Sequence, residues 1–359
     1  MCLFALAQVK RFKFFMDTRE ENQPAFESLK DSPVQTENIA YSSEEMIACG
    51  KCLRANPPNR LKCLYCGGQL EFSDEQTAFL KPVLRKLEAW EKGFNLIYMP
   101  DDSNEIDERK IKEISRMTRH EKEVLEKLFE AQKPLPLARA ESEKEAAIVK
   151  QRFEESGIQT VLLSDEKLAV ENPPKRLRGM EFSDDTILLR IFNTDEVFEA
   201  RSEDLLLVVT GAVFQKRVEA TEKHNKRGEN ALLNASETAT DERLFDIYFN
   251  GNDTGFRIEQ KGFDFSCLGQ EKSLLAAENI KRLVKKLKAF APKAKLVEDY
   301  LQIRAALGNV WEIAERRDSK GLVRKGLGKF NLGNVTFVSN LEQFTKYSRM
   351  LNNIYEAEK

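Results

Sequence analysis

An α+β chain built from several modules is the fold class this sequence predicts, and three observations carry it. Four cysteines are confined to residues 49–66, a stretch too short for a core of its own. Between residues 111 and 164, helical and extended patterns alternate with clear start and stop residues. Beyond residue 182, runs of Leu, Ile, Val and Phe separated by turn residues give way to amphipathic helical stretches. At ~150 residues per domain the 359-residue chain holds two to three domains. The boundaries expected from composition are a lead over 1–44, a cysteine module over 45–72, a helical segment over 73–131, a βαβ unit over 132–182, a strand-rich domain with a closing helix over 183–292, and a helical region over 293–359.

Composition narrows the function. Lysine and arginine number 57 against 59 aspartates and glutamates, a net charge of −2, which excludes a globally basic nucleic-acid binder but leaves a local basic patch open. Only His120 and His224 are present, so histidine-rich metal chemistry is excluded and no His-based triad is indicated. No apolar run reaches the ~18 residues of a membrane-spanning helix. The apolar start Met1–Ala7 is followed, not preceded, by Lys10, Arg11 and Lys13, unlike a secretory signal. Met16 opens an ordinary polar N-terminus, so translation from Met16 is one expectation and an amphipathic extension the other. Residues 17–45 are polar and aperiodic, which predicts disorder. Six cysteines in a chain this long do not make a disulfide scaffold, and the cytoplasm is the expected compartment.

The informative segment is Cys49-Gly50-Lys51-Cys52, ten intervening residues, then Cys63-Leu64-Tyr65-Cys66-Gly67-Gly68. Each Cys-x-x-Cys pair forms a tight turn that aims both sulfurs at one cation. Two such turns supply four thiolates in the closed tetrahedral arrangement that zinc prefers. Gly50 and Gly67 suit the cramped backbone of those turns. One structural Zn²⁺ on Cys49, Cys52, Cys63 and Cys66 is therefore expected. Iron in a rubredoxin-like site is the rival metal. A redox dithiol is disfavoured by the presence of two pairs. With Asn56 between the pairs, the segment resembles the four-cysteine zinc ribbons of bacterial proteins. It is also similar to the Ran-binding-protein type of zinc finger, a resemblance that implies binding to single-stranded RNA or to a protein. In those RNA binders an aromatic two residues before the first cysteine stacks on a base; here Ile47 stands there, so the stacking platform is missing.

Downstream, Ser73-x-x-Gln76 has the form of a capping box, and Phe79, Leu80, Val83, Leu84, Leu87 and Trp90 follow at helical spacing, with Pro82 a defect unless it lies in the first turn. Ile111, Ile114 and Met117 mark a short helix. Thr118-x-x-Glu121 is expected to cap a second, and His120 to sit exposed at that cap rather than to bind a ligand. Pro134–Ala140 reads as a strand, Ser142-x-x-Glu145 as the cap of a helix ending at Gly157, and Ile158–Leu163 as a second strand. This βαβ unit resembles the opening of small ferredoxin-like modules described as signal-transducing domains, a resemblance that carries a fold and no catalytic group.

From 182 onward, strands are expected at Thr186–Phe192, Leu205–Thr210, Ala212–Val218, Phe245–Phe249 and Phe256–Glu259, the last two joined by the turn Asn250–Gly255. The polar stretch 220–241, with His224, is expected to be a mobile loop. A helix over about 271–290 would close a pleckstrin-homology-like barrel or an α+β sheet. Leu296, Tyr300, Ile303, Leu307, Val310 and Ala314 predict one further helix, and Ser339-x-x-Glu342 the cap of a terminal one.

Several features invite a site. Cys267 lies among apolar neighbours and reads as a small buried hydrophobe rather than a nucleophile. The run Lys281, Arg282, Lys285, Lys286, Lys288, Lys293 and Lys295 reads as a solvated helix face, with acidic partners, nucleic acid or anionic lipid as the alternative occupants. Gly321–Phe330, with Arg324, Lys325 and Lys329, fails the phosphate-loop pattern because Phe330 stands where Ser or Thr is needed, and reads as a flexible cationic loop, with phosphate or RNA contact as the alternative. The acidic pairs Asp101-Asp102 and Asp184-Asp185 make poor catalytic dyads, and no nucleophile–base pair is found. The reading with most support is a non-catalytic zinc-binding module that regulates or docks a protein partner. The second is a single-stranded nucleic-acid binder gripping phosphates with Arg54, Arg60, Lys62 and the 281–295 face. The third is an enzyme whose site is assembled from dispersed residues.

Overall fold

The computed structural model describes residues 46–58, 60–72, 82–101, 106–224, 230–326 and 329–359. The expected lead, the alternative start at Met16, the Ser73–Gln76 cap and the surroundings of the His224 ring lie outside them. The chain is mixed α and β, with a two-stranded, a three-stranded and a nine-stranded sheet. Among the described residues no helix is long and apolar enough to cross a membrane.

The cysteine module contains β1 (Ile47–Ala48) and β2 (Ala55–Asn56), paired antiparallel with Ile47 opposite Asn56. The helix expected through Trp90 is not formed over its described part. Residues 82–88 run without regular structure, because Pro82 cannot sit inside a helix. Leu84 N–H donates instead to the Met117 carbonyl at 2.8 Å, Leu84 and Leu87 turn inward, and Val83 and Trp90 stay exposed.

Strand β3 (Phe94–Tyr98) then opens the three-stranded sheet. Helices α1 (Glu108–Thr118) and α2 (Lys122–Glu130) follow, burying Ile111, Ile114, Met117 and Leu125, Leu128, Phe129. Thr118 does not cap α2. Its hydroxyl donates to the Ile114 carbonyl within α1, and Arg119 turns left-handed to end that helix. His120 is half-buried rather than exposed, with its Nε2 3.0 Å from the Leu137 carbonyl. Strand β4 (Leu135–Ala140), helix α3 (Glu143–Glu155), strand β5 (Thr160–Ser164) and the short helix α4 (Asp165–Leu168) complete this part. Ser142 caps α3 as expected, accepting from Glu145 N–H, and Gly157 takes the left-handed conformation just beyond it. The order β4-β3-β5, with both outer strands antiparallel to β3, makes the crossover a split one.

The nine-stranded sheet comprises β6 (Lys175–Phe182), β7 (Thr186–Ile191), β8 (Val197–Arg201), β9 (Leu205–His224), β10 (Asn230–Phe249), β11 (Phe256–Glu259), β12 (Lys295–Val297), β13 (Ala314–Gly326) and β14 (Lys329–Ser339). Its order is β13-β14-β9-β10-β11-β6-β7-β8. One flank of β9 is shared, since Leu207–Val209 pairs parallel with β12 and Gln215–Glu222 antiparallel with β14. Helices α5 (Ala276–Phe290), α6 (Tyr300–Leu307) and α7 (Leu341–Ala357) pack on this sheet.

Three expectations are corrected here. Residues 220–224 and 230–241 belong to the strands β9 and β10, because polar and Thr-rich residues can serve a strand as well as a loop. The supposed loop 321–330 is strand up to Gly326 and again from Lys329, so the 293–359 region is not wholly helical. The stripe from Leu296 to Ala314 is divided among β12, α6 and β13. In addition, Asn340 rather than Ser339 precedes α7, and its side chain accepts from Phe214 N–H at 2.7 Å.

Alternation along β9 and β10 feeds two cores. Leu205, Val208, Phe245, Ile247 and Phe249 face α5, whereas Leu207, Val209, Leu244 and Tyr248 join α6, α7 and the three-stranded sheet. Gly211 lets α7 approach, since a Cβ there would lie 2.4 Å from the Phe344 ring. Two polar connections are buried with these cores. Arg257 holds Asp246 through both carboxylate oxygens at 2.7 and 2.8 Å and donates to Thr345, and Trp311 Nε1 donates to Asn95 at 2.8 Å.

Candidate metal centre

The two cysteine turns are built alike. The Cys49 carbonyl accepts from Leu53 N–H at 2.8 Å, and the Cys63 carbonyl accepts from Gly67 N–H at 3.0 Å. In each, the N–H two residues after the first cysteine, on Lys51 and on Tyr65, points at that cysteine's sulfur at 3.4 Å. Each also ends on a left-handed residue just after its second cysteine, Leu53 at φ 58° and Gly67 at φ 68°. The expectation for Gly67 holds; in the first turn the strained position is Leu53 and not Gly50.

The four sulfurs lie within 4.8 Å of one another, with Cys49–Cys66 at 3.6 Å and Cys52–Cys63 at 3.4 Å. A tetrahedral ion with ~2.3 Å metal–sulfur bonds separates its ligands by about 3.8 Å, so the cluster has metal-binding dimensions. Asn56, fully buried, ties the turns together. Its Oδ1 accepts from Leu64 N–H at 2.8 Å, and its Nδ2 donates to the Arg54 carbonyl and, at 3.5 Å, to Cys63 Sγ. The bond to Arg54 is local, whereas the reach to the second turn could not be read from spacing.

The electrostatics favour thiolates without letting all four ionise. Backbone N–H groups of Cys52 and Lys51 hold the Cys49 thiol below its usual range. Burial works against ionisation of Cys63, but the N–H groups of Tyr65 and Cys66, neighbouring Cys52 and the Asn56 amide bring it down to about 6. At Cys52 the Arg54 N–H favours the thiolate, yet burial and the three other sulfurs push the group up to about 12. A cation at the centre would remove that conflict.

Around the sulfurs the apolar support is slight: Ile47, Cys49, Cys63 and Leu70 form the whole buried cluster. Ile47 at 3% exposure is part of this core, so its position offers no stacking surface. The turns instead present Leu53, Leu64 and Tyr65 to solvent, and the Arg54 guanidinium lies over the Tyr65 ring at 4.7 Å. Of this exposed tip only Arg54 was singled out from sequence; Leu53, Leu64 and Tyr65 were not, though they stand beside the cysteines.

The basic residues are scattered. Lys62 is paired with Glu141, which also receives Arg85, and Arg60 lines a cleft of about 390 Å³ with Val83, Arg85 and Lys144. On α5, Lys281 pairs with Glu278, Arg282 reaches the Glu271 carbonyl, Lys286 donates to the Cys267 carbonyl at 2.6 Å, and Lys285 is exposed. Arg324, Lys325 and Lys329 lie in β13 and β14, with side chains outside the described set. Burial pushes the Cys267 thiol up to about 11, as an unreactive cysteine requires.

No known family, curated protein or solved structure matches the chain.

Proposed function

We propose that Cys49, Cys52, Cys63 and Cys66 hold one zinc ion in a structural, non-catalytic role, and that the module so folded docks a protein partner through Leu53, Arg54, Leu64 and Tyr65. The observation that carries this reading is the combination of a closed four-sulfur cluster with large apolar side chains exposed on the same turns. Four protein sulfurs leave no position for water or substrate, which argues for structure over chemistry. Metal analysis of the purified protein should give one zinc per chain, lost in Cys49→Ser/Cys63→Ser. Crosslinked capture from native lysate should recover a partner that Leu53→Asp/Tyr65→Ala no longer holds while it still carries zinc. Equal capture by both proteins, or no metal in the wild type, would overturn the reading.

Single-stranded nucleic acid is the rival occupant. Lys62 is engaged by Glu141, and Lys281, Arg282 and Lys286 of α5 are tied to their own surroundings, leaving Arg54, Arg60 and Lys285 for phosphate. Three contacts predict a salt slope of only about −2.1 for single strands. A slope several times steeper would favour nucleic acid.

A further inference from the structure

Strands β13, β14, β9 and β10 run side by side in that order. Residues 235–241 of β10 are all exposed, and so are Glu315, Arg316, Arg317, Ser319 and Lys320 of β13. Strand β11 covers the outer side of β10 only over Leu244–Ile247. From 230 to 242, no strand among the described residues pairs with that side, and none pairs with the outer side of β13. β13 is 13 residues long, which matches the open stretch of β10.

The two open edges carry opposite charge. Residues 230–242 contain Glu237, Asp241 and Glu242 and no cation, a sum of −3. Residues 314–326 contain Arg316, Arg317, Lys320, Arg324 and Lys325 against Glu315 and Asp318, so 5 − 2 = +3. Charged edges ordinarily keep sheets apart, and here like edges repel. The unlike edges do not. Strand direction agrees as well. β13 is antiparallel to β14, β14 to β9 and β9 to β10, so β13 of one copy laid beside β10 of the next continues the antiparallel alternation. The register is level across all four strands, with Arg317 opposite Thr336, Thr336 opposite Val218, and Val218 opposite Glu237. A repeat without slippage sets Arg317 of one copy against Glu237 of the next.

We propose that this chain self-associates head to tail, the basic β13 edge of one copy pairing with the acidic β10 edge of another. Such an interface is heterologous, so it builds rings or filaments rather than closed two-fold dimers. Glu237 then stands between Lys216 of its own β9, now 2.8 Å away, and the incoming Arg317.

Sedimentation velocity of the full chain at low salt should show species larger than the monomer, and these should dissociate at high salt. Glu237→Lys and Arg317→Glu should each leave only monomer, and the double reversal should restore assembly, because every interface again joins unlike charges. Glu237→Gln and Arg317→Gln, checked by circular dichroism, should weaken assembly in the same direction should a reversal unfold the strands. A monomeric wild type at high protein concentration and low salt would overturn the proposal. So would an assembly indifferent to both single reversals, or crosslinks joining β10 to β10.

Discussion

Stripping the metal should unfold the cysteine module and leave the rest of the chain intact. Among the described residues, the fully buried apolar side chains of the module besides the cysteines are Ile47 and Leu70, with Phe72 partly buried against them. Full burial of two aliphatic side chains stabilises by about 3–6 kcal/mol. Zinc on a structural thiolate set contributes about 10–16 kcal/mol, roughly two to five times as much, so the ion dominates. The module shares no core residue with the two larger clusters. Its described links to α3 and the segment before β3 are the Lys62–Glu141–Arg85 pairing and Lys144 over the Phe72 ring at 5.5 Å, both largely solvated and worth little. Hydrogen exchange read by mass spectrometry before and after exhaustive chelation tests this. The N–H groups of Leu53, Cys63, Gly67 and Leu70, each bonded in the folded module, should lose protection, and those of β9 and β10 should keep theirs. Persistent protection across 46–72 in protein shown to be metal-free would refute the reasoning.

Other perturbations have equally definite outcomes. Arg257→Met should cost about 3–5 kcal/mol in urea unfolding because it strands the buried Asp246, whereas Asp246→Leu/Arg257→Met should come close to wild type; a cost under about 1 kcal/mol for the single change would show that the carboxylate finds water. Leu53→Gly should stabilise the module by up to about 1 kcal/mol, since the residue is 82% exposed and left-handed; faster exchange in the variant would contradict this. Burial holds His120 below its ordinary 6.5, so the unfolded chain binds the proton more readily. The stability contributed by the neutral ring is complete above pH 6.5 and declines as pH falls toward the lowered value. Urea midpoints of wild type and His120→Gln should therefore converge on acidification, and parallel curves would show that the ring titrates normally.

The four-cysteine cluster was fully legible because metal-binding chemistry requires fixed spacing, and the helices around Ile114, Val149 and Leu283 were legible because a solvated face leaves a periodic stripe. Strand β3 was not, since Asn95, Leu96, Ile97 and Tyr98 are all buried and show no alternation. The long ends of β9, β10, β13 and β14 failed for the opposite reason: their polar composition resembles a loop, and only pairing makes them strands. Asp246 and Arg257 are eleven residues apart on neighbouring strands, and nothing local marks them as partners. The Trp311–Asn95 bond joins residues 216 positions apart and leaves no trace in any window of sequence.

That last bond, and the seat of β14 against β9, have a bearing on how the polypeptide is made. When the last residue of β10, Phe249, is added, the partners for Gln215–Glu222, Leu332–Ser339, are still more than eighty codons from translation. The growing chain must carry a half-satisfied hairpin through that interval, and closure awaits the final segment. Synthesis from the amino end therefore cannot lock this architecture step by step. Early termination before β14 would release a product with Gln215–Glu222 of its central strand bare along one side, the sort of species that chaperones hold and proteases clear.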